Sequence, residues 1–247
     1  ALCEWDNRIV AQIDGVPSHT ASAMEAVKAV SRHFGGDINP GDVFVLNDPY
    51  LGGTHLQDVT VMKPVFYDGD LQFIAINRAH HGDVGGMEPG SYCPQATELF
   101  HEGIRIPPVR IYAKEEPIMD VVNMIRLNTR MPDDLWVDLK AMVASCRVAE
   151  RRITDLLEKY GVEKTRATIE EIHQYAERRM RREIEKLADG TYVGESFLDS
   201  DGFSEDPIRI RAAVTVKGDE AYVDFEGSDP QVTGFVNSPM ANTATCV

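Results

Sequence analysis

The sequence predicts an α+β fold: a loop-rich sheet region, then a helical hairpin, then a C-terminal segment that contains a β-hairpin. Three changes of pattern indicate this order. Short β-prone runs broken by Gly, Pro, Asp and His fill residues 1–131, apolar residues recur at helical spacing over 132–189, and strict apolar-polar alternation follows within 190–247. We therefore expect three regions with these bounds, the last of them incomplete.

The first region contains a strong β-hairpin signal at Asp68-Gly69. β-prone runs lie on both sides of this pair, and Asp-Gly is typical of a two-residue turn in which both residues have positive φ. Tyr67 should then pair with Asp70, which sets the register of the whole ladder.

That register brings two segments with the same spacing, HLQD and HHGD, to one end of the hairpin. It places Asp58 opposite Ala79 and His55 opposite Gly82. Opposed residues in an antiparallel ladder lie about 5 Å apart at Cβ, so side chains from both strands can share a cation.

The candidate metal ligands in these segments are His55, Asp58, His80 and Asp83. Imidazole and carboxylate together suit zinc, manganese or ferrous iron, whereas calcium takes oxygen ligands alone. The alternative is structural, because His and Asp are also common as turn and capping residues.

The second region predicts two amphipathic helices that pair as a hairpin. Apolar residues recur at helical spacing from Leu135 to Tyr160 and again from Ile169 to Leu187, with Gly161 between them. In the third region, alternation over Ile208–Val216 and the turn residues after it predict a β-hairpin.

Composition excludes several classes of function. The formal net charge is -15, which would oppose binding to nucleic acid or to an anionic membrane. The four cysteines form no CxxC pair, so their spacing suggests neither a zinc finger nor a disulfide framework. No apolar run reaches the length of a membrane span, and the first residues do not resemble a signal peptide. We expect a cytoplasmic protein.

The absence of an initiator Met suggests an internal portion of a longer chain. The sequence also has no phosphate-binding glycine loop, which indicates that any nucleotide chemistry lies elsewhere.

Several segments resemble the B subunit of ATP-dependent hydantoinases and 5-oxoprolinases. They are NDPYLGGTHLQD, NRAHHGDVGG, PGS and EGIRIPPV, and the similarity extends over nearly the whole chain. The large subunits of acetone and acetophenone carboxylases are similar to a lesser degree and keep HxxD in both segments.

The resemblance implies a hetero-oligomer with an A-type subunit that binds ATP and phosphorylates the carbonyl oxygen of a cyclic amide. This chain would then open a hydantoin, oxoproline or lactam ring with a metal-activated water. The divalent metal would be Mn, Zn or Fe. Ligand roles transfer by resemblance to His55, His80 and Asp83, with Asp58 as a fourth ligand.

The resemblance also suggests catalytic residues beside the metal. Position 81 is His, as in hydantoinase-type sequences, where the carboxylase pattern has an apolar residue. His81 would be a general base, or alternatively a support for a ligand. Asp48 would orient a ligand histidine or bind substrate, or alternatively close an Asx turn. His19 and Glu98 are weaker candidates.

Two other functions fit the same residues. The chain would be a subunit of an ATP-dependent ketone carboxylase of the acetone or acetophenone type. Alternatively, it would be a non-catalytic scaffold, stabilised by metal, for an ATPase partner.

Overall fold

A computed structural model describes residues 1–6, 8–13, 15 and 17–247. This part of the chain contains both helices and sheets, which confirms the α+β class. It divides into two compact units, one of residues 1–157 with 238–247 and the other of residues 158–237.

Seven strands form one antiparallel sheet in the first unit. They are β1 (Leu2–Glu4), β2 (Ile9–Ala11), β3 (Val43–Leu46), β4 (Asp58–Tyr67), β5 (Asp70–His80), β6 (Val109–Ala113) and β7 (Glu116–Pro117). Their order across the sheet is β2-β1-β5-β4-β3-β6-β7, so the β4–β5 hairpin lies near its centre. Most of β4 is buried on both faces.

Several helices accompany this sheet in the first unit. They are α1 (Pro17–Phe34), α2 (Leu99–Glu102), α3 (Met119–Arg126), α4 (Pro132–Tyr160), whose end enters the second unit, and α6 (Met240–Ala244), with a 3₁₀ turn at Pro49–Leu51. The apolar stripe of α1 packs on one face of the sheet against Phe44, Met62 and Ile76. Asn77 alternates to the other face, where its amide donates to Ser145 of α4 over 2.6 Å.

The predicted hairpin forms, but its register changes within the ladder. Pairing begins at Tyr67 and Asp70 as expected, and Asp68 and Gly69 have φ of 52° and 86°. Gln72 is then an extra residue in β5, a β-bulge that shifts the remaining pairs by one.

The predicted pairing of Asp58 with Ala79 is therefore wrong. Asp58 pairs with His80, and the predicted pair of His55 and Gly82 does not form because β4 begins at Asp58 and β5 ends at His80. Directly opposed residues lie on one face of a sheet, whereas a one-residue slip moves a side chain to the other face. The bulge thus puts Asp58 and His80 together on the face that α1 covers.

The second unit consists of a helix and a three-stranded sheet. Its elements are α5 (Val162–Ile184), β8 (Gly190–Leu198), β9 (Ile208–Lys217) and β10 (Glu220–Asp224), in the sheet order β10-β9-β8. The predicted β9–β10 hairpin is confirmed, with Lys217 opposite Glu220 and Gly218 at φ 61°.

The three predicted regions stay a prediction beside these two units. The boundary falls inside α4, and residues 238–247 join the first unit, where α6 contacts α1. Both long helices form near the predicted bounds, separated by Gly161 at φ 79°. Their pairing as a hairpin stays a prediction. Within the described residues, no helix combines the length and apolar character that a membrane crossing requires.

The bulge makes a prediction about insertions and deletions in β5. Deleting Gln72 should leave Asp58 opposite His80 and preserve metal content, at a cost of about 1 kcal/mol for the lost hydrogen bond from Trp5 N to Gln72 O. Inserting Ala after Ile76, beyond the core residues that fix the strand, should bring Ala79 opposite Asp58 and abolish metal binding. Elemental analysis and circular dichroism of the two full-length variants test this pair; equal metal content in both would contradict it.

Candidate metal centre

Three of the four predicted ligands converge at the end of the β4–β5 hairpin. His55, Asp58 and His80 each offer a ligand atom, and these atoms lie within 4.8 Å of one another. His80 Nδ1 is 2.8 Å from Asp58 Oδ1, and His55 Nδ1 is 2.7 Å from Asp58 Oδ2. The two imidazole rings are nearly perpendicular, with centroids 5.4 Å apart.

The loop before β4 positions His55 and Asp58. Asp58 N donates to His55 O over 3.0 Å, which closes a tight turn between the two side chains. Gly52 in the same loop has φ 94°, and a Cβ there would lie 2.3 Å from the backbone nitrogen of Ala26 in α1. Glycine therefore lets this loop lie directly on α1.

Asp58 is the centre of the cluster. Its side chain is fully buried, accepts a short hydrogen bond from the Thr54 hydroxyl, and lies 3.4 Å from His19 Nε2. Burial alone would raise the pKa of Asp58, but the interactions with His19, His55 and Thr54 outweigh it and hold that pKa far below its ordinary range. Asp58 is therefore an ionised carboxylate.

A half-buried arginine fixes the surroundings of this carboxylate. Arg78 Nε donates to Thr60 Oγ1 and Nη2 donates to Gly52 O, each over 2.7 Å, and Nη1 donates to Ser22 of α1. Burial lowers the pKa of Arg78 to about 10, opposed by the charge of Asp58. The guanidinium thus joins α1, β4 and the loop that contains Gly52, and it adds a positive charge near Asp58.

His55 has a ring nitrogen available for a ligand. Its Nδ1 is buried and, although close to Asp58 Oδ2, has no partner in hydrogen-bond geometry among the described residues. The interaction with Asp58 raises the pKa of His55, and burial opposes this effect. Burial raises the pKa of Glu102, while the charge of His55 opposes the rise.

The donor set fits a divalent transition metal. Two imidazoles and one ionised carboxylate are common protein ligands of zinc, manganese and ferrous iron, and three protein ligands leave positions open for water or substrate. His55 Nδ1 faces Asp58 Oδ2 at 2.7 Å outside hydrogen-bond geometry, and a cation shared by the two groups would satisfy both.

The profile of the hydantoinase B/oxoprolinase family matches residues 1–247. The chain belongs to this family. It is 39% identical to the caprolactamase subunit beta of Pseudomonas jessenii over all of its own length and 42% of that protein. The chain thus spans about two fifths of this relative.

One solved structure agrees with the family assignment, and a second shows the same fold. The ATP-dependent caprolactamase from Pseudomonas jessenii superimposes with a TM-score of 0.92 at 38% identity, covering 99% of this chain and 42% of that one. A nucleotide-free acetone carboxylase superimposes with a TM-score of 0.89 over 99% of this chain and 34% of that one, at 19% identity. This second likeness shows a shared fold.

In this member of the hydantoinase B/oxoprolinase family, Asp83 lies outside the ligand group. Asp83 Oδ1 accepts from Gly85 N, Thr129 Oγ1 and Arg130 N, and Oδ2 accepts from Arg130 Nη1, at 2.9–3.0 Å. Burial opposes its ionisation, but these donors lower the pKa of Asp83 to about 2. Its carboxylate organises the loop after β5, so the described geometry gives no support to Asp83 as a ligand.

His81 is also separated from the group. Strand alternation puts it on the face of the sheet that α4 covers, where Nδ1 lies 3.6 Å from Asp138 Oδ2. The residue is 3% exposed, and Nε2 has no hydrogen-bond partner within the described part of the chain. Burial lowers the pKa of His81. A catalytic role for His81 stays a prediction.

Asp48 adopts the alternative structural role. Its Oδ1 accepts from Tyr50 N over 2.9 Å, an Asx turn that caps the 3₁₀ turn, and its Oδ2 pairs with Arg105 Nε at 2.7 Å. Glu98 pairs with His101 at 3.1 Å. Neither residue lies in the ligand group, so a catalytic role for Asp48 has no support in this geometry.

The sequence pointed only weakly to His19, because only the fold brings α1, which carries this residue, close to Asp58. It did not single out four other neighbours of the ligands. The others lie within or beside the segments that carry the family resemblance, which was the available signal: Thr54, Arg78, Tyr92 and Glu102.

The separation of Asp83 from the ligands predicts different effects for two matched substitutions. Asp58→Asn should abolish metal binding. Asp83→Asn should retain the metal and lower Tm by about 3–8 °C, because a buried charged hydrogen-bond acceptor is lost. Elemental analysis and thermal unfolding at pH 7 measure both.

The effect of Asp83→Asn on Tm should also depend on pH. The folded-state pKa of Asp83 is lowered from 3.8 to about 2, so its stabilisation is complete above pH 4 and disappears as pH falls through 4 towards 2. The difference in Tm between wild type and variant should shrink over that interval.

The outcome that would contradict the first of these two predictions is loss of metal in Asp83→Asn, which would restore Asp83 as a ligand.

Proposed function

We propose that this chain is the ring-opening part of an ATP-dependent cyclic amide hydrolase of the hydantoinase and oxoprolinase type. The observation that carries the proposal is the buried, ionised Asp58 between His55 and His80. Membership of the family and the similarity to caprolactamase subunit beta support an amide ring as the substrate.

His55, Asp58 and His80 would hold a divalent manganese, zinc or iron ion. When bound, such an ion lowers the pKa of water and withdraws electrons from a carbonyl oxygen. The protein's contribution is orientation: Asp58 contacts both imidazoles, and Arg78 fixes the loop on which His55 lies. These contacts preorganise the site before substrate arrives.

The reaction needs a carrier for one proton. Water adds to the carbonyl carbon, the C–N bond of the ring breaks, and the leaving nitrogen takes up a proton. Glu102 is a candidate carrier because its pKa is raised and it interacts with the charge of His55. His81 is the other candidate, and it would need a change of position to leave the α4 face.

ATP would act through a partner. We propose an A-type subunit that binds ATP and phosphorylates the carbonyl oxygen, which makes the carbon more reactive towards water. Breaking the C–N bond then leaves an acyl phosphate, and a second water hydrolyses it to the carboxylate and inorganic phosphate. The name of the caprolactamase relative, subunit beta, supports a hetero-oligomer. We further propose that this assembly works in the cytoplasm. The likeness to acetone carboxylase extends to the fold alone, so we propose hydrolysis and not carboxylation.

Removing the two ligand histidines tests the proposal. In the full-length protein assembled with its ATP-binding subunit, the double variant His55→Ala, His80→Ala should lose the metal and at least about a thousandfold of ring-opening activity, because metal catalysis contributes several kcal/mol. The exposed His33→Ala is the matched control and should behave as wild type. The assay follows ring opening of caprolactam, hydantoin and 5-oxoproline with ATP.

Two outcomes would favour the other functions. Retained ring opening in the metal-free double variant would indicate a scaffold that another subunit uses. Incorporation of labelled bicarbonate into a ketone, with no ring opening, would indicate a carboxylase.

A further inference from the structure

One aromatic side chain lies against both ligand histidines. The ring centroid of Tyr92 is 5.9 Å from that of His55 and 5.5 Å from that of His80. With the 5.4 Å between the two imidazoles, the three rings form a nearly equilateral triangle. Tyr92 is nevertheless 52% exposed, so part of its ring remains accessible beside the ligand atoms.

The loop that bears Tyr92 is anchored on both sides. Before it, Asp83 is held by Arg130 as described above, and Arg130 Nη2 also donates to Gly86 O over 2.9 Å. After it, Cys93 and Ala96 are buried, with Ala96 N donating to Cys93 O over 3.0 Å. These contacts on either side restrain the backbone at Tyr92, which favours one placement of its ring.

An aromatic wall beside a cation site suits a particular kind of ligand. The cation and its ligands handle a polar amide, while the ring face gains free energy by covering CH groups. Cyclic amides combine these parts, since the amide is at one edge and the methylenes form the rest of the ring. A linear or fully polar substrate would leave the aromatic surface in water.

Resting on the proposed function, we propose that Tyr92 is the specificity-determining residue against which the aliphatic part of the cyclic amide packs. Its contribution grows with the number of ring methylenes, so the site favours large lactams over small polar rings. The competing occupant is a segment of the partner subunit that covers Tyr92. This alternative rests on Met87 and Phe100, which are both exposed. They lie on neighbouring segments, which a hydrogen bond from Met87 N to His101 O joins over 2.8 Å.

The test compares lactams that differ only in ring size. The five-, six- and seven-membered unsubstituted lactams are titrated against the full-length, metal-loaded protein, and Kd is measured by NMR for wild type, Tyr92→Phe and Tyr92→Ala. The same lactams are then assayed for KM and kcat with ATP and the ATP-binding subunit. Tyr92→Phe keeps the ring face and is the matched control, and the exposure of Tyr92 makes both variants compatible with folding.

We expect Tyr92→Ala to weaken binding and raise KM by a factor that rises with ring size, up to about fourfold for each added methylene, with metal content retained. Tyr92→Phe should bind the lactams as wild type does. A uniform effect on all three lactams, no effect, or loss of metal would each overturn the proposal. An effect that appears only in the presence of the ATP-binding subunit, equal for all rings, would identify the partner as the occupant.

The two proposals fail in different ways. If wild type binds lactams with the Tyr92-dependent gradient but opens none of them, the proposed function is wrong and the binding role stands. If wild type opens lactams through His55 and His80 but Tyr92→Ala shows no gradient, the proposed function stands and the role of Tyr92 is wrong.

Discussion

The candidate site depends on one buried carboxylate. Asp58 is removed from water at the first residue of a central strand, and removing an ionised carboxylate from water costs several kcal/mol unless it is paired. Contacts with Thr54, His19, His55 and His80 provide that pairing. The same contacts orient the two imidazoles, so the interactions that offset the burial of Asp58 also arrange the candidate metal ligands.

The elements around Asp58 are held together by polar contacts in addition to apolar packing. Arg78 is half-buried, and its guanidinium, which burial partly removes from water, joins Ser22 of α1, Thr60 of β4 and the carbonyl of Gly52. Because a buried guanidinium without its partners would carry a large desolvation penalty, these three elements favour a single arrangement. The geometry at the ligands therefore follows from the interior of the first unit, while the open side of the site is formed by loops.

The two faces of the sheet separate the candidate metal ligands from His81. Side chains at even positions near the end of β5, Arg78 and His80, lie on the α1 face with Asp58, whereas Asn77 and His81 lie on the α4 face. A pair of adjacent histidines in the sequence is thus divided between two environments. One histidine joins the candidate metal ligands, and the other is buried against a helix.

The sequence by itself determined the α+β class, the family resemblance, the turns at Asp68-Gly69 and Lys217-Gly218, and the two long helices. Each of these follows from local propensity, from periodicity or from contiguous motifs. It also identified His55, Asp58 and His80 as ligand candidates. Only the tertiary structure decided their arrangement, because the bulge at Gln72 belongs to the packed sheet and has no strong local signal. The position of Asp83 outside this group and the approach of His19 depend on contacts with Arg130 and Asp58, which are distant along the chain.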